Sequence, residues 1–270
     1  MAQKALSRMA LLHSNVCTPA NVSSITVTGA TEIINFDGDQ LAYPYDRTRF
    51  LKTAPYAGAT ITVTINFSAP HSVSAVGLIG HNMGSVGAHA AVTFNGLLAA
   101  GATDVVAVGS LNGVDLDMGF VTETDTIDEL QVVFSSGTST GAIIRNIFIG
   151  QHTEMGKNPK DAAFRQSETA EIYKEYDIGG EPHVTFSAPY KEKSLEIEWR
   201  GGLSSDLKAF VTLEDHEWIG IISPLDHMEI PWSPDYNHHV FGFKKSVSST
   251  PRSRHSATHK HDFVVTIEGV

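Results

Sequence analysis

The 270 residues carry 19 Lys and Arg against 30 Asp and Glu, for a formal charge of −11, with 41% apolar and 18% charged side chains. That apolar content suffices for a sizeable core and excludes a globally disordered chain. The acidic balance excludes a nonspecific nucleic-acid binder, whose affinity rests on basic contacts to phosphate. The lone Cys17 excludes an internal disulfide and a Cys-rich zinc site.

At about 150 residues per domain, the length predicts two domains or one large one. Residues 1–150 hold 6 basic and 11 acidic side chains, net −5, and residues 151–270 hold 13 and 19, net −6. Neither half is a charged tail. The start of the chain has only four consecutive apolar residues, Met9 to Leu12. That is shorter than a secretory core or a membrane span, so an unexported protein with no membrane partner is expected.

The clearest predicted strand is Thr60 to Phe67. Ile61, Val63, Ile65 and Phe67 alternate with Thr60, Thr62, Thr64 and Asn66, the period-two pattern of a strand with one buried face. Ala69-Pro70-His71 is expected to break it. Val73 to Ile79 then reads as a nearly all-apolar strand buried on both faces. Leu130 to Phe134 alternates again, and Ile143 to Ile149 is a further apolar strand. Short strands separated by Gly, Ser and Thr turns predict a β-sandwich in this half.

The pattern lapses over Gly150 to Asp161, which is polar with Gly and Pro. The domains are therefore drawn as 1–153 and 154–270. In the second half Leu195, Ile197 and Trp199 alternate with Glu196, Glu198 and Arg200. Ser204-Ser205-Asp206 predicts the cap of one short helix to about His216, with Leu207, Phe210 and Val211 on its apolar face. Val240 to Ser248 and His259 to Glu268 predict a long C-terminal hairpin about Pro251-Arg252-Ser253. The expected fold is mainly β: a sandwich followed by a β-rich domain with one helix and that hairpin.

No catalytic signature is found. There is no Gly-x-Ser-x-Gly elbow and no His-Glu-x-x-His. Gly80, His81 and Asn82 are expected to form a structural turn at a strand end. Asp37-Gly38-Asp39 suits a tight acidic turn better than a calcium loop, whose twelve-residue spacing is absent. His238, His239, His255, His259 and His261 fit a solvated hairpin face better than a metal site. No metal, cofactor or catalytic residue is therefore assigned. Lys244, Lys245, Arg252, Arg254 and Lys260 make the acid-free stretch from Lys244 to His261 carry +5. This segment is either a solvated tip or an arm that docks on an acidic neighbouring copy. Trp232 and Tyr236, in a Pro-rich loop, are candidates for stacking on a sugar or for packing the loop onto the second domain or another subunit.

The run Ala59 to Pro70 followed by Val73 to Met83, with Gly80-His81-Asn82 closing the second strand, resembles the core of the galactose-binding-like (discoidin-type) jelly rolls found in tailed-phage structural proteins. Asn35 to Asp39 and Ile143 to Gly150 fit the same domain, so the resemblance covers about half the chain. The second half is similar in general shape to the C-terminal region of phage tail or baseplate proteins. The resemblance implies a virion protein made in the host bacterial cytoplasm. It would assemble with copies of itself and with other virion proteins in a ring or symmetric particle, without enzymatic activity. A carbohydrate-binding module that recognises a host glycan is the alternative it leaves open.

Overall fold

In the structure, a computed structural model, the described residues are 9–43, 49–55, 60–81, 91–97, 106–111, 118–135, 141–156, 164–176, 182–213, 218–222, 240–251 and 260–269. The chain is mainly β. The described residues contain thirteen antiparallel strands, one α-helix and one 3-10 turn.

The first body is organised by β4 (Ile61–His81), 21 residues long. Ile61, Val63, Ile65 and Phe67 are buried, while Thr62, Thr64 and Asn66 between them are half-buried. All seven residues from Val73 to Ile79 are buried, as a nearly all-apolar run requires of a strand covered on both faces. The expected break at Ala69-Pro70-His71 is instead a register shift inside one continuous strand, between Asn66 and His71. Proline has no N–H to donate, and a bulge is where a strand tolerates that. The shift is also a corner. Before it, β4 pairs with β2 (Val22–Thr28); after it, with β8 (Ile143–Glu154). On its other edge, β7 (Met118–Ser135) follows β4 through both stretches. Two strands that bend together from one sheet to the next close a jelly-roll sandwich. β3 (Leu51–Lys52) pairs with β8, and β5 (Ala91–Leu97) with β7 and with β6 (Val106–Leu111). The core includes Ile61, Val63, Phe94, Val132, Phe134, Ile147 and Ile149.

Two local features carry specific backbone demands. Gly29 has φ +84°, and a Cβ there would lie 2.0 Å from the Thr60 carbonyl oxygen. Only glycine suits both that left-handed backbone and that approach. Cys17 is fully buried beneath Leu41, and burial pushes its thiol from an ordinary 9.0 up to about 12.

The second body is built on β10 (Pro182–Leu203), flanked by β9 (Phe164–Tyr176) and β13 (Lys260–Gly269). β12 (Val240–Pro251) pairs with β13 and with β11 (Trp218–Ile222). Ile197 and Trp199 are buried and alternate with half-buried Glu196 and Glu198. The Trp199 ring stacks on Phe263 at 4.8 Å and meets Phe210 at 5.3 Å. The helix α1 spans Ser204–Val211 with Leu203 as its N-cap residue, so Asp206 sits in the first turn. There its Oδ1 accepts the Gly156 N–H at 2.7 Å, a bond across the sequence that a local capping pattern does not predict. Phe210 is buried and Leu207 packs beside it, but Val211 is 58% exposed. The packed stripe passes through 207, 210 and 213 rather than 211.

The bodies meet at β1 (Ala10–His13). This four-residue strand pairs with β8 on one side and β11 on the other. The β8 ladder continues through residue 153, where the sequence places a domain boundary, to Glu154. Met9 and Leu11, assigned by sequence to the first domain, pack with Met155, Trp199 and Phe263 in the second core. Strands therefore follow one hydrogen-bonded path, β6-β5-β7-β4-β8-β1-β11-β12-β13-β10-β9.

Truncating the centre of the second core, Trp199→Ala, is expected to cost about 3–5 kcal/mol, read as a lower midpoint in chemical denaturation. Cys17 should resist alkylation at pH 8 while folded and react once unfolded. Because its folded value lies above its unfolded one, this group favours folding below pH 9, and that contribution falls as the pH rises from 9 towards 12. Alkylation of the native protein at pH 8 at the unfolded rate would contradict the placement of Cys17.

Candidate functional site

The segment between β2 and β3 builds a polar and aromatic surface beside the sandwich. Phe36 N–H donates to the Ile33 carbonyl at 2.9 Å, and Asn35 has φ +69°. These are the marks of a tight turn with a left-handed third residue. Asp37 then stands at the N-terminal boundary of a 3-10 turn, Gly38–Ala42, without a side-chain capping bond. Gly38 donates its N–H to Glu32 Oε1 at 2.7 Å, and Gln40 Nε2 donates to Asp37 Oδ1 at 2.9 Å. A Cβ on Gly38 would lie 2.9 Å from Ile25 Cγ2, so glycine lets the turn settle on β2. The Asp-Gly-Asp stretch is thus an acidic turn held within the chain.

On this frame Phe36 stacks on Phe50 at 4.5 Å. The Arg49 guanidinium lies 3.9 Å above the centre of the Tyr43 ring, and Arg49 Nη1 donates to Gln40 Oε1 at 3.5 Å. Tyr43 is 37% exposed and Ile34, at the turn, 85% exposed. Together they present a phenol ring, a planar cation, an amide and a carboxylate on one surface. An aromatic face offers contact to the C–H side of a ring-shaped ligand. The neighbouring Arg, Gln and Asp supply donors and acceptors for hydroxyl groups. Sequence reading missed this group because Phe36, Tyr43, Arg49 and Phe50 follow no period; only the Asp-Gly-Asp turn among them was visible.

The residues singled out in the sequence are scattered. The turn expected at Gly80, His81 and Asn82 does not begin at Gly80: β4 runs on through His81, which stands opposite Ile144. The ladder to β8 holds these two residues extended, and Asn82 lies outside the described residues. Trp232, Tyr236, Arg252, Arg254, His238, His239, His255 and His259 also lie outside them. His261 pairs in register with Gly202 and Pro251. Among the described residues no group of three His, Cys, Asp or Glu is placed to hold a metal ion.

The basic cluster divides. Lys244 is 8% exposed, and its Nζ donates to the carbonyls of Phe210 (3.3 Å) and Leu213 at the end of α1. Its charge serves the C-terminal end of the helix dipole inside its own chain rather than a docking arm. Strand alternation turns Lys244 inward, and a ladder shift follows between Lys244 and Ser246. Gly242 and Lys244 face inward before it; beyond it Val247 takes the inner side. Lys245 is exposed and pairs with Glu268 on the neighbouring strand. Lys260 stands opposite Leu203 at the start of β13.

No protein-family model matches the chain, and no curated protein does. Solved structures that match cover about half of it. Chitosan-binding module 1 of a chitosanase/glucanase from Paenibacillus sp. IK-5 is 15% identical over 52% of this chain and 100% of its own, with a TM-score of 0.41. A family 32 carbohydrate-binding module from Clostridium perfringens NanJ, solved with galactose, is 13% identical over 53% and 100%, at 0.40. A Streptococcus pneumoniae fucose-binding module is 8% identical over 51% and 95%, at 0.41.

Lys244→Met is expected to cost about 1–3 kcal/mol by leaving buried helix-end carbonyls without a donor. Lys245→Met should change stability by less than about 1 kcal/mol, as exposed ion pairs do. Denaturant midpoints of the two variants check the difference. Equal effects would show that Lys244 does not cap the helix.

Proposed function

We propose that this chain is a non-catalytic recognition protein that binds carbohydrate at the surface between β2 and β3. The observation that carries the reading is the stack of Arg49 on the half-exposed Tyr43 ring, with Gln40 bonded to both Arg49 and Asp37. The guanidinium and amide are held by these contacts before any ligand arrives, which lowers the ordering cost of binding. The absence of nucleophile-elbow and zinc-protease motifs in the sequence agrees with a binding role.

Assembly within a phage virion is the second reading, and a different observation supports it. β10 continues past the last residue of β13, since Lys193 already pairs with Gly269. Over Pro182–Phe186 its described partner is β9 alone. A bare two-stranded ribbon is marginal in water, so a ribbon of this length suits a protein whose neighbours complete it. In that setting the partners are further copies and other virion proteins. Arg252, Arg254 and Lys260 remain the candidates for charged contacts, and the glycan surface serves host attachment.

A glycan array tests the first reading. Binding should be lost with Tyr43→Ala and weakened about tenfold or more by Arg49→Ala. Binding that survives both changes but vanishes with Trp232→Ala would move the site to the Trp232 and Tyr236 loop, and a blank array would remove the carbohydrate reading. The virion reading predicts this chain among the proteins of intact particles by mass spectrometry, and its absence there would defeat it.

A further inference from the structure

We propose that Glu32 is a positioning residue for the ligand surface. By holding the Gly38 N–H it leaves the Asp37 carboxylate to Gln40, and through Gln40 it sets Arg49 over Tyr43. The proposal rests on the carbohydrate reading for what the surface binds, and goes beyond it by naming a residue that acts through others.

The start of the 3-10 turn carries the argument. Asp37 has φ −78° and ψ 175° there. From that extended backbone an aspartate ordinarily folds its carboxylate back onto the first N–H groups of the element that follows. Asp37 makes no such bond. Its Oδ1 accepts instead from Gln40 Nε2 at 2.9 Å. The other end of the same amide, Oε1, accepts from Arg49 Nη1 at 3.5 Å, and the Arg49 guanidinium lies 3.9 Å over the Tyr43 ring. The Asp37 carboxylate is thus diverted from the backbone to the side chain that orients Arg49.

Glu32 permits that diversion. Its Oε1 accepts the Gly38 N–H at 2.7 Å. Gly38 is buried, so its N–H needs a partner within the protein. A Cβ on Gly38 would lie 3.2 Å from Glu32 Oε1, so glycine leaves room for the carboxylate. The backbone that delivers Glu32 is itself fixed. Glu32 forms a bridge with Thr53, Ile33 N–H donates to the Lys52 carbonyl, and Ala54 N–H donates to the Thr31 carbonyl. Thr53 is buried and tied to the chain entering β8: its N–H donates to the Ala142 carbonyl, and its Oγ1 accepts the Ala142 N–H at 2.9 Å. Without the Glu32 carboxylate, the Gly38 N–H loses its acceptor. Asp37, next in the chain and already extended, is then drawn back onto the start of the turn. Gln40 Nε2 loses its partner, and Arg49 loses the orientation that Gln40 gives it. A ligand must then order both side chains itself, which costs affinity.

Three full-length variants separate this role from general support of the fold. Glu32→Gln keeps an acceptor at the same reach. Glu32→Asp keeps the charge but is one carbon short, and Glu32→Ala removes both. The Arg49 Nε–H resonance, identified by its loss in Arg49→Lys, should lie upfield because of the Tyr43 ring beneath it. It should return to the ordinary arginine position in Glu32→Ala and Glu32→Asp, and stay in Glu32→Gln. Titrated with the strongest glycan of the array, the first two should bind about tenfold more weakly and the third as the unaltered protein does. Adding Gln40→Ala to Glu32→Ala should weaken binding little further, since both break one chain of contacts. Should Glu32→Ala not fold, the contrast between Glu32→Asp and Glu32→Gln decides the matter. An Arg49 resonance unmoved in Glu32→Ala or Glu32→Asp would overturn the positioning role whatever the array shows, and so would a Glu32→Gln protein that behaves like Glu32→Asp. A blank array with the resonance moving as expected would uphold the role of Glu32 and remove the carbohydrate reading alone.

Discussion

Everything in this molecule depends on the pairing of β1 with β8 and β11. Ala10, Leu11 and Leu12 are buried, and the strand is bonded on both edges. Its flanks are tied as well. Met155 N–H donates to the Met9 carbonyl, and Val16 N–H to the Ile149 carbonyl. Asn15 Oδ1 accepts from both Cys17 N–H and Ile149 N–H. The approach is so close that a Cβ on Gly150 would lie 2.7 Å from the His13 carbonyl and 2.8 Å from that of Ser14. The glycine lets β8 pass beneath the chain leaving β1. Around this seam, His152 is held by its Nδ1 at 2.8 Å from the Ser74 carbonyl, which requires the proton on that nitrogen.

The seam also explains what the sequence reveals and what it hides. Where one strand buries one face, alternation tells the fold, as at Ile61, Val63, Ile65 and Phe67. Where burial is two-sided, as from Val73 to Ile79, the apolar run tells it too. β1 is legible by neither rule. Four residues are too few for a period, and their significance lies in partners about 140 and 210 residues away. β2 fails for a related reason, since only Ile25 of its seven residues is buried. Proline at position 70 read as a break because the rule concerns the lost N–H. It did not foresee that the same residue can sit at a bulge where a long strand turns from one sheet to the next.

Lys244 shows the same limit for charge. A run of basic residues without acids looks like a solvated tip when counted along the chain. Ordinary strand alternation sends these successive lysines to opposite faces, one to the carbonyls of α1 and one to Glu268. Net charge per segment therefore overstated what the hairpin offers to a partner. The candidate ligand surface was hidden for the opposite reason. Its members, Phe36, Gln40, Tyr43, Arg49 and Phe50, are ordinary loop residues until the turn at Ile33–Phe36 and the 3-10 turn bring them together.

A continuous strand path bears on how two separate surfaces can serve one task. The 3-10 turn beneath Tyr43 rests against β2, β3 and β8. From β8 the path to the outer edge crosses β1, β11, β12, β13 and β10 before reaching β9, roughly 30 Å at ordinary strand spacing. Coupling binding to assembly across that distance would need an element with two discrete arrangements. If the seam keeps its pairing, the surface near Tyr43 and the outer edge of the path would act independently in energy. Assembly at that edge would change not the affinity of each ligand surface but how many engage at once, and avidity grows from that number without any new contact.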